Sequence, residues 1–113
     1  MINIFLDDLR PCPEGFTWIK NADYLIHQFK CCQDIKLEVN ILSLDHDLGD
    51  NELTGYDFCK WLVEEGYENP TIYPKVIYLH TANGVGRDNM YQLLNRYKPN
   101  WCKLHRSPIP NND

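Results

Sequence analysis

Three stretches of this chain carry side chains that can do chemistry: Asp7-Asp8, the triplet Asp45-His46-Asp47, and the run from His80 to Arg87, His-Thr-Ala-Asn-Gly-Val-Gly-Arg. Carboxylates gathered in one pocket repel one another unless a cation sits among them. The hard oxygens of Asp7, Asp8 and Asp45 suit Mg²⁺ or Mn²⁺, with waters completing the shell. Asp47 is a fourth candidate ligand, ranked below Asp45 because it can equally hydrogen-bond its own loop through Gly49. His46 and His80 titrate near neutral pH and can pass protons, one as base and one as acid. They could instead join the metal shell, or His80 could pack at a strand end while His46 faces solvent. Thr81, Asn83 and the turn Gly84-Val85-Gly86 offer N–H groups and a hydroxyl that can cradle phosphate oxygens. Arg87 and Arg10 are candidate phosphate clamps, each equally able to form a surface salt bridge. His27 falls at a polar helical position and is read as surface.

These groups lie far apart in sequence, so the fold must gather them. Ile2–Leu6 is a short apolar run ending in Asp7-Asp8, the pattern of a buried strand that opens onto charge. A loop with two prolines and a glycine follows over Arg10–Gly15. Phe16–Lys20 reads as a second strand. Asn21 caps a helix over Ala22–Phe29. Val39–Leu44 is a third strand, again ended by acids, and Thr54 caps a second helix that Gly66 is expected to stop. Lys75–Leu79 is a fourth strand, Arg87–Tyr97 a third helix, Trp101–His105 a fifth strand, and the tail over 107–113 is too rich in proline for a helix. Strands alternating with helices imply a parallel sheet, whose ligand site lies outside the carboxyl ends of the strands. Asp7, Asp8, Asp45, Asp47, His80 and Thr81 are all predicted there.

The composition narrows the function classes. One hundred and thirteen residues, 43% of them hydrophobic, make a single domain, residues 1–113, with one core. The net charge of −5 is spread without any basic block, so nucleic acid is not expected as the primary partner. No apolar run reaches a membrane span, and Met-Ile-Asn-Ile-Phe-Leu-Asp-Asp is no signal peptide. Five cysteines, an odd number without a CxxC pair, read as free thiols in a reducing cytoplasm.

The chain resembles the receiver domains of two-component signalling. Asp7-Asp8 matches their paired acids after the first strand, and Asp45 in Leu-Ser-Leu-Asp-His-Asp-Leu-Gly matches their phosphoacceptor. Gly55 falls where they keep a glycine, and Thr81-Ala82 matches their Thr/Ser-Ala after the fourth strand. Phe-Leu-Asp-Asp-Leu-Arg-Pro, Leu-Asp-His-Asp-Leu-Gly and His-Thr-Ala-Asn-Gly-Val-Gly-Arg together resemble, more closely, the cyclic-phosphate-processing receiver-like domains. These are small proteins thought to act on cyclic phosphates through added histidines. The resemblance implies a truncated receiver or flavodoxin-like α/β fold, a parallel five-stranded sheet lacking the first and last helices, with helices mainly on one face. It departs at His105-Arg106-Ser107-Pro108, where receivers place a lysine before a proline.

The function expected is a metal-dependent phosphoesterase acting on a small cyclic phosphate or nucleotide-like ligand. Asp7, Asp8 and Asp45 would hold the cation, His46 and His80 would handle protons, and Thr81, Asn83 and Arg87 would hold phosphate. A single-domain receiver phosphorylated on Asp45 and a non-catalytic binder of a phosphorylated ligand are the alternatives. The strand alternation leaves Phe5, Ile41, Val76, Tyr78 and Trp101 on a face without helices, which predicts a homodimer through that face.

Overall fold

A computed structural model describes residues 1–110. Five strands form one parallel sheet: β1 (Ile2–Leu6), β2 (Thr17–Ile19), β3 (Val39–Leu44), β4 (Val76–Leu79) and β5 (Lys103–His105), in the order β2-β1-β3-β4-β5. Three helices connect them, α1 (Ala22–Asp34), α2 (Gly55–Glu68) and α3 (Gly84–Tyr97), with a short 3₁₀ turn over Pro70–Ile72. The loop over residues 7–16 joins β1 to β2 with no helix, as the sequence predicted, and residues 106–110 form none after β5. The last three residues of the expected tail, 111–113, lie outside the described residues. Among the described residues no helix is long and apolar enough to cross a membrane.

The even positions of β1 and β3 and the odd positions of β4 explain where the core lies. Ile4, Leu6, Leu42, Leu44 and Leu79, with Ile77 on β4 and Cys102 before β5, are completely buried in one cluster with Phe29, Phe58, Leu62, Met90 and Leu94 from the helices. α1 packs on α2 and α2 on α3, so the three helices form a single layer. The opposite face is built from two rows. Trp18, Phe5, Ser43, Tyr78 and His105 are register partners across the upper row, and Asn3, Ile41, Val76 and Lys103 across the lower.

This bare face is less apolar than the sequence suggested. The His80 ring lies flat on Phe5, with centroids 4.5 Å apart, and His105 lies on Tyr78 at 4.8 Å. Phe5 and Ser43 are consequently buried although no helix covers them. Trp101, expected to begin β5, sits in the turn before it and is about half exposed, at 52%.

Element ends differ where packing overrides local signals. Asn21 and Thr54 cap α1 and α2 as predicted, Thr54 in a reciprocal capping box with Asp57. α1 runs five residues further than the apolar spacing suggested, because Cys32 continues its buried face. Gly66 does not stop α2. It lies inside the helix, where a Cβ would overlap the ring of Tyr73. α3 begins at Gly84, earlier than predicted, because Asn83 caps it by accepting a hydrogen bond from the Gly86 N–H at 2.9 Å.

The cysteines form no disulfide: Cys32, Cys59 and Cys102 are buried, Cys12 is half-buried and Cys31 is exposed. Burial pushes the Cys59 and Cys32 thiols up, and that of Cys102 up to about 11. The Tyr73 hydroxyl is the one buried side-chain polar atom without a partner among the described residues, and burial raises its pKa to about 12. Tyr73→Phe removes a group whose desolvation nothing offsets. It is expected to leave stability unchanged or raise it by about 1 kcal/mol. Urea melts of the two proteins check this, and a clear loss of stability would show that the hydroxyl has a partner after all.

Candidate active site

Asp7 follows the last residue of β1 and is as deeply buried as Leu6 before it. A buried carboxylate needs compensation, and Asp7 has four donors. Its Oδ1 accepts the backbone N–H groups of Leu9 and Arg10, each at 2.9 Å. Its Oδ2 accepts from Arg10 Nη1 and from His80 Nε2, again at 2.9 Å each. Burial by itself pushes the carboxyl up. The backbone N–H groups of Arg10 and Leu9, then the Arg10 and His80 side chains, outweigh it and hold the group below its ordinary 3.8. The Trp18 indole N–H donates to the Asp7 carbonyl at 2.7 Å, which ties the end of β1 to its edge strand.

Asp45 follows the last residue of β3 beside it, and its Oδ1 accepts the His46 N–H at 2.8 Å. Its Oδ2 lies 3.3 Å from Arg10 Nη1, the same nitrogen that meets Asp7. One guanidinium nitrogen therefore bridges two carboxylates, offsetting one of their two charges. Gly55 fixes Asp45 from the other side: a Cβ there would overlap the Asp45 carbonyl oxygen, and the Gly55 N–H donates to the His46 carbonyl at 2.8 Å.

The two histidines differ in kind. The His80 side chain is buried, and both ring nitrogens are engaged. Nε2 must donate to the Asp7 carboxylate, so Nδ1 is the acceptor for the Ser43 hydroxyl, at 2.6 Å. Burial lowers its pKa, with Asp7 opposing, which favours the neutral ring. His46 is partly exposed and rests against Gly86, where a Cβ would overlap its ring. Its Nδ1 lies 2.9 Å from Asp47 Oδ1, which fixes that proton and leaves Nε2 as the free base in the neutral ring. Asn83 Nδ2 donates to Asp47 Oδ2 at 3.1 Å. The hydrogen bonds from His46 and Asn83 hold the Asp47 carboxyl below its ordinary 3.8.

A cleft of about 430 Å³ opens at the carboxyl ends of β1, β3 and β4, walled by Asp7, Asp8, Arg10, Asp45, Asp47, Thr81 and Asn83, with Leu9, Gly49 and Ala82 between them. Of the residues predicted to converge, Asp7, Asp8, Asp45, Asp47 and Thr81 meet in this cleft, and the candidate phosphate ligands Arg10 and Asn83 join them. The remaining candidates stand apart from the cleft wall. His80 lies beneath Asp7, and His46 stands beside Asp47 and Asn83. Gly84 and Gly86 form the first turn of α3, and the Gly86 N–H is already taken by Asn83. Arg87 turns away. Its Nη1 donates to the Thr81 carbonyl at 3.4 Å, and it lines a separate cleft with Tyr91, His105 and Arg106. The Thr81 hydroxyl accepts the Asn83 N–H at 3.1 Å and so shapes the turn.

Ligand atoms of Asp7, Asp45 and His80 lie within 4.8 Å of one another. The two carboxylates at that spacing fit a divalent cation, with Asp8 at the cleft wall as a further oxygen donor, while His80, whose Nε2 proton is given to Asp7, supports the Asp7 carboxylate from behind. The sequence reading missed Ser43, which orients His80, and the double use of Arg10. Ser43 left a trace as the lone polar residue of Leu42-Ser43-Leu44, whereas nothing in the sequence marked Arg10 as the partner of both acids.

No curated protein and no solved structure gives a match. A family model described as the cyclic-phosphate processing receiver domain matches residues 2–96, from the start of β1 to the last turn of α3. The matched span includes Asp7, Arg10, Asp45, His46 and His80. The chain belongs to the family of cyclic-phosphate processing receiver domains.

Proposed function

We propose that the protein is a metal-dependent phosphoesterase that opens a small cyclic phosphate to a phosphomonoester. The observation that carries this reading is the single cleft in which Asp7, Asp8, Asp45, Asp47, Thr81 and Asn83 meet. A small phosphorylated ligand is the partner such a site takes. Asp7 and Asp45, with Asp8, would hold the cation, which would supply Lewis-acid charge to the phosphoryl oxygens. His46 takes the proton from the attacking water, with Asp47 holding its Nδ1–H so that Nε2 is the base. The new P–O bond forms as one ring P–O ester bond breaks, and the departing alkoxide takes up, through solvent, the proton that His46 accepted from the water, which returns His46 to its free-base form. His80, with both nitrogens engaged, positions Asp7 and does not touch the ligand.

A panel of cyclic nucleotides with Mg²⁺, Mn²⁺ or Zn²⁺ tests the reading, with phosphomonoester release as the readout. His46→Ala is expected to lower turnover by about 10²–10⁴ with the fold intact. Wild-type activity in that variant would remove His46 from the mechanism. Phosphorylation of Asp45 by acetyl phosphate, with no cyclic phosphate turned over, would select the receiver reading instead. Against that alternative, His105-Arg106-Ser107-Pro108 offers no lysine where receivers place one before a proline, His105 stacks on Tyr78, and no β5 side chain lines the cleft.

A further inference from the structure

We propose that the Arg10 guanidinium is the resident cation of the acid site, that it exchanges with a divalent ion for the same oxygens, and that the guanidinium so released grips the phosphate. The inference rests on the phosphoesterase reading and adds to it an order of events, cation first and phosphate second.

The geometry leaves little room for both cations at once. Arg10 Nη1 contacts Asp7 Oδ2 at 2.9 Å and Asp45 Oδ2 at 3.3 Å, and these carboxylates belong to the cluster that could bind an ion. A divalent ion takes carboxylate oxygens at about 2.0–2.6 Å. A positively charged nitrogen already in contact with both acids would then face the ion across the same oxygens, and like charges at that range repel strongly. The guanidinium cannot resolve the conflict by losing its proton, because arginine stays charged. It must move.

The loop is built to let the side chain move while the backbone stays. The Arg10 N–H is held separately, by Asp7 Oδ1 at 2.9 Å, and the Leu9 N–H by the same oxygen. The Arg10 side chain is 44% exposed on a connection that carries no helix. It already forms part of the cleft wall, so a short swing brings its planar fork to a phosphate lying there. Until an ion arrives, the clamp is bound to the acids and unavailable.

Two titrations on the purified chain test this, Mn²⁺ alone by calorimetry and inorganic phosphate at saturating Mg²⁺, each on wild type, Arg10→Gln and Arg10→Lys. Arg10→Gln is expected to bind Mn²⁺ about tenfold more tightly than wild type, because its competitor has gone. The same variant, loaded with Mg²⁺, is expected to bind phosphate about tenfold more weakly. A merely structural arginine would weaken both. Arg10→Lys, with its charge kept on a shorter reach, should fall between the two, and it carries the test if Arg10→Gln does not fold. Equal or weaker Mn²⁺ binding in the variants, or unchanged phosphate binding, overturns the exchange. Wild type that binds Mn²⁺ while the variants match it sinks this inference alone. A protein that binds no Mn²⁺ in any form sinks the metal-dependent reading along with it.

Discussion

Gly55→Ala is expected to cost stability at the upper end of the overpacking range, about 3 kcal/mol. A Cβ at this first residue of α2 would overlap the Asp45 carbonyl oxygen and stand 3.1 Å from Met90 Sδ. The methionine can yield, since its side chain is flexible. The carbonyl cannot, because it belongs to the backbone that leaves β3, and that backbone is fixed by the Asp45 N–H donating to the Leu6 carbonyl at 3.0 Å. Either α2 withdraws from the sheet or Asp45 leaves its place beside Asp7. For a domain of this size each kcal/mol lowers the melting temperature by roughly 4–8 °C, so a thermal melt resolves the effect easily. A variant that melts with wild type would mean that α2 does not approach Asp45 so closely.

Asp7→Ala is expected to be at least as damaging, at about 3–5 kcal/mol, because it leaves buried partners without their counter-charge. Two backbone N–H groups, the Arg10 guanidinium and His80 Nε2 all lose an acceptor together. The pH dependence separates this network from simple packing. The His80 pKa lies below its ordinary 6.5, so the folded state binds fewer protons than the unfolded chain, and stability is lost as the pH falls below about 6.5. The Asp7 pKa also lies below its ordinary 3.8, and its contribution, full above that value, disappears as the pH falls further. Wild type should therefore weaken in two stages on acidification, and Asp7→Ala should lack the lower one. Urea melts across the acid range measure both. A variant that retains the lower stage would place it on other carboxylates.

The fold was legible because its signals are local and repeated. Apolar runs such as Ile2–Leu6 and Val39–Leu44 each end abruptly in acids, and three helices lie between the strands. The acids of the site were legible for the same reason, since strand ends in a parallel sheet share one edge. The histidines were harder. Position alone set His46 and His80 both at the rim, but strand parity puts His80 on the bare side of the sheet with Tyr78 and Val76, where Phe5 and Ser43 draw it down. The Gly84-Val85-Gly86 turn was misjudged because glycine suggests a loop, while Asn83 supplies the cap that lets a helix start there. Arg10 was legible as a cation near phosphate chemistry. Its pairing with two acids depends on a β1–β2 loop whose path no sequence period encodes.

The cysteines give the single helical layer a redox meaning. Cys32 on α1, Cys59 on α2 and Cys102 before β5 lie in that layer or against it, and burial keeps each of them in the unreactive thiol form. Nucleophilic attack on an oxidant needs the thiolate and an open path. In the folded protein the exposed Cys31 meets oxidants first, and Cys12, whose thiol is also pushed up, follows slowly. The three interior sulfurs become oxidisable only when helices lift from the sheet. Oxidation at those positions therefore accumulates as a chemical record of how often the layer has opened.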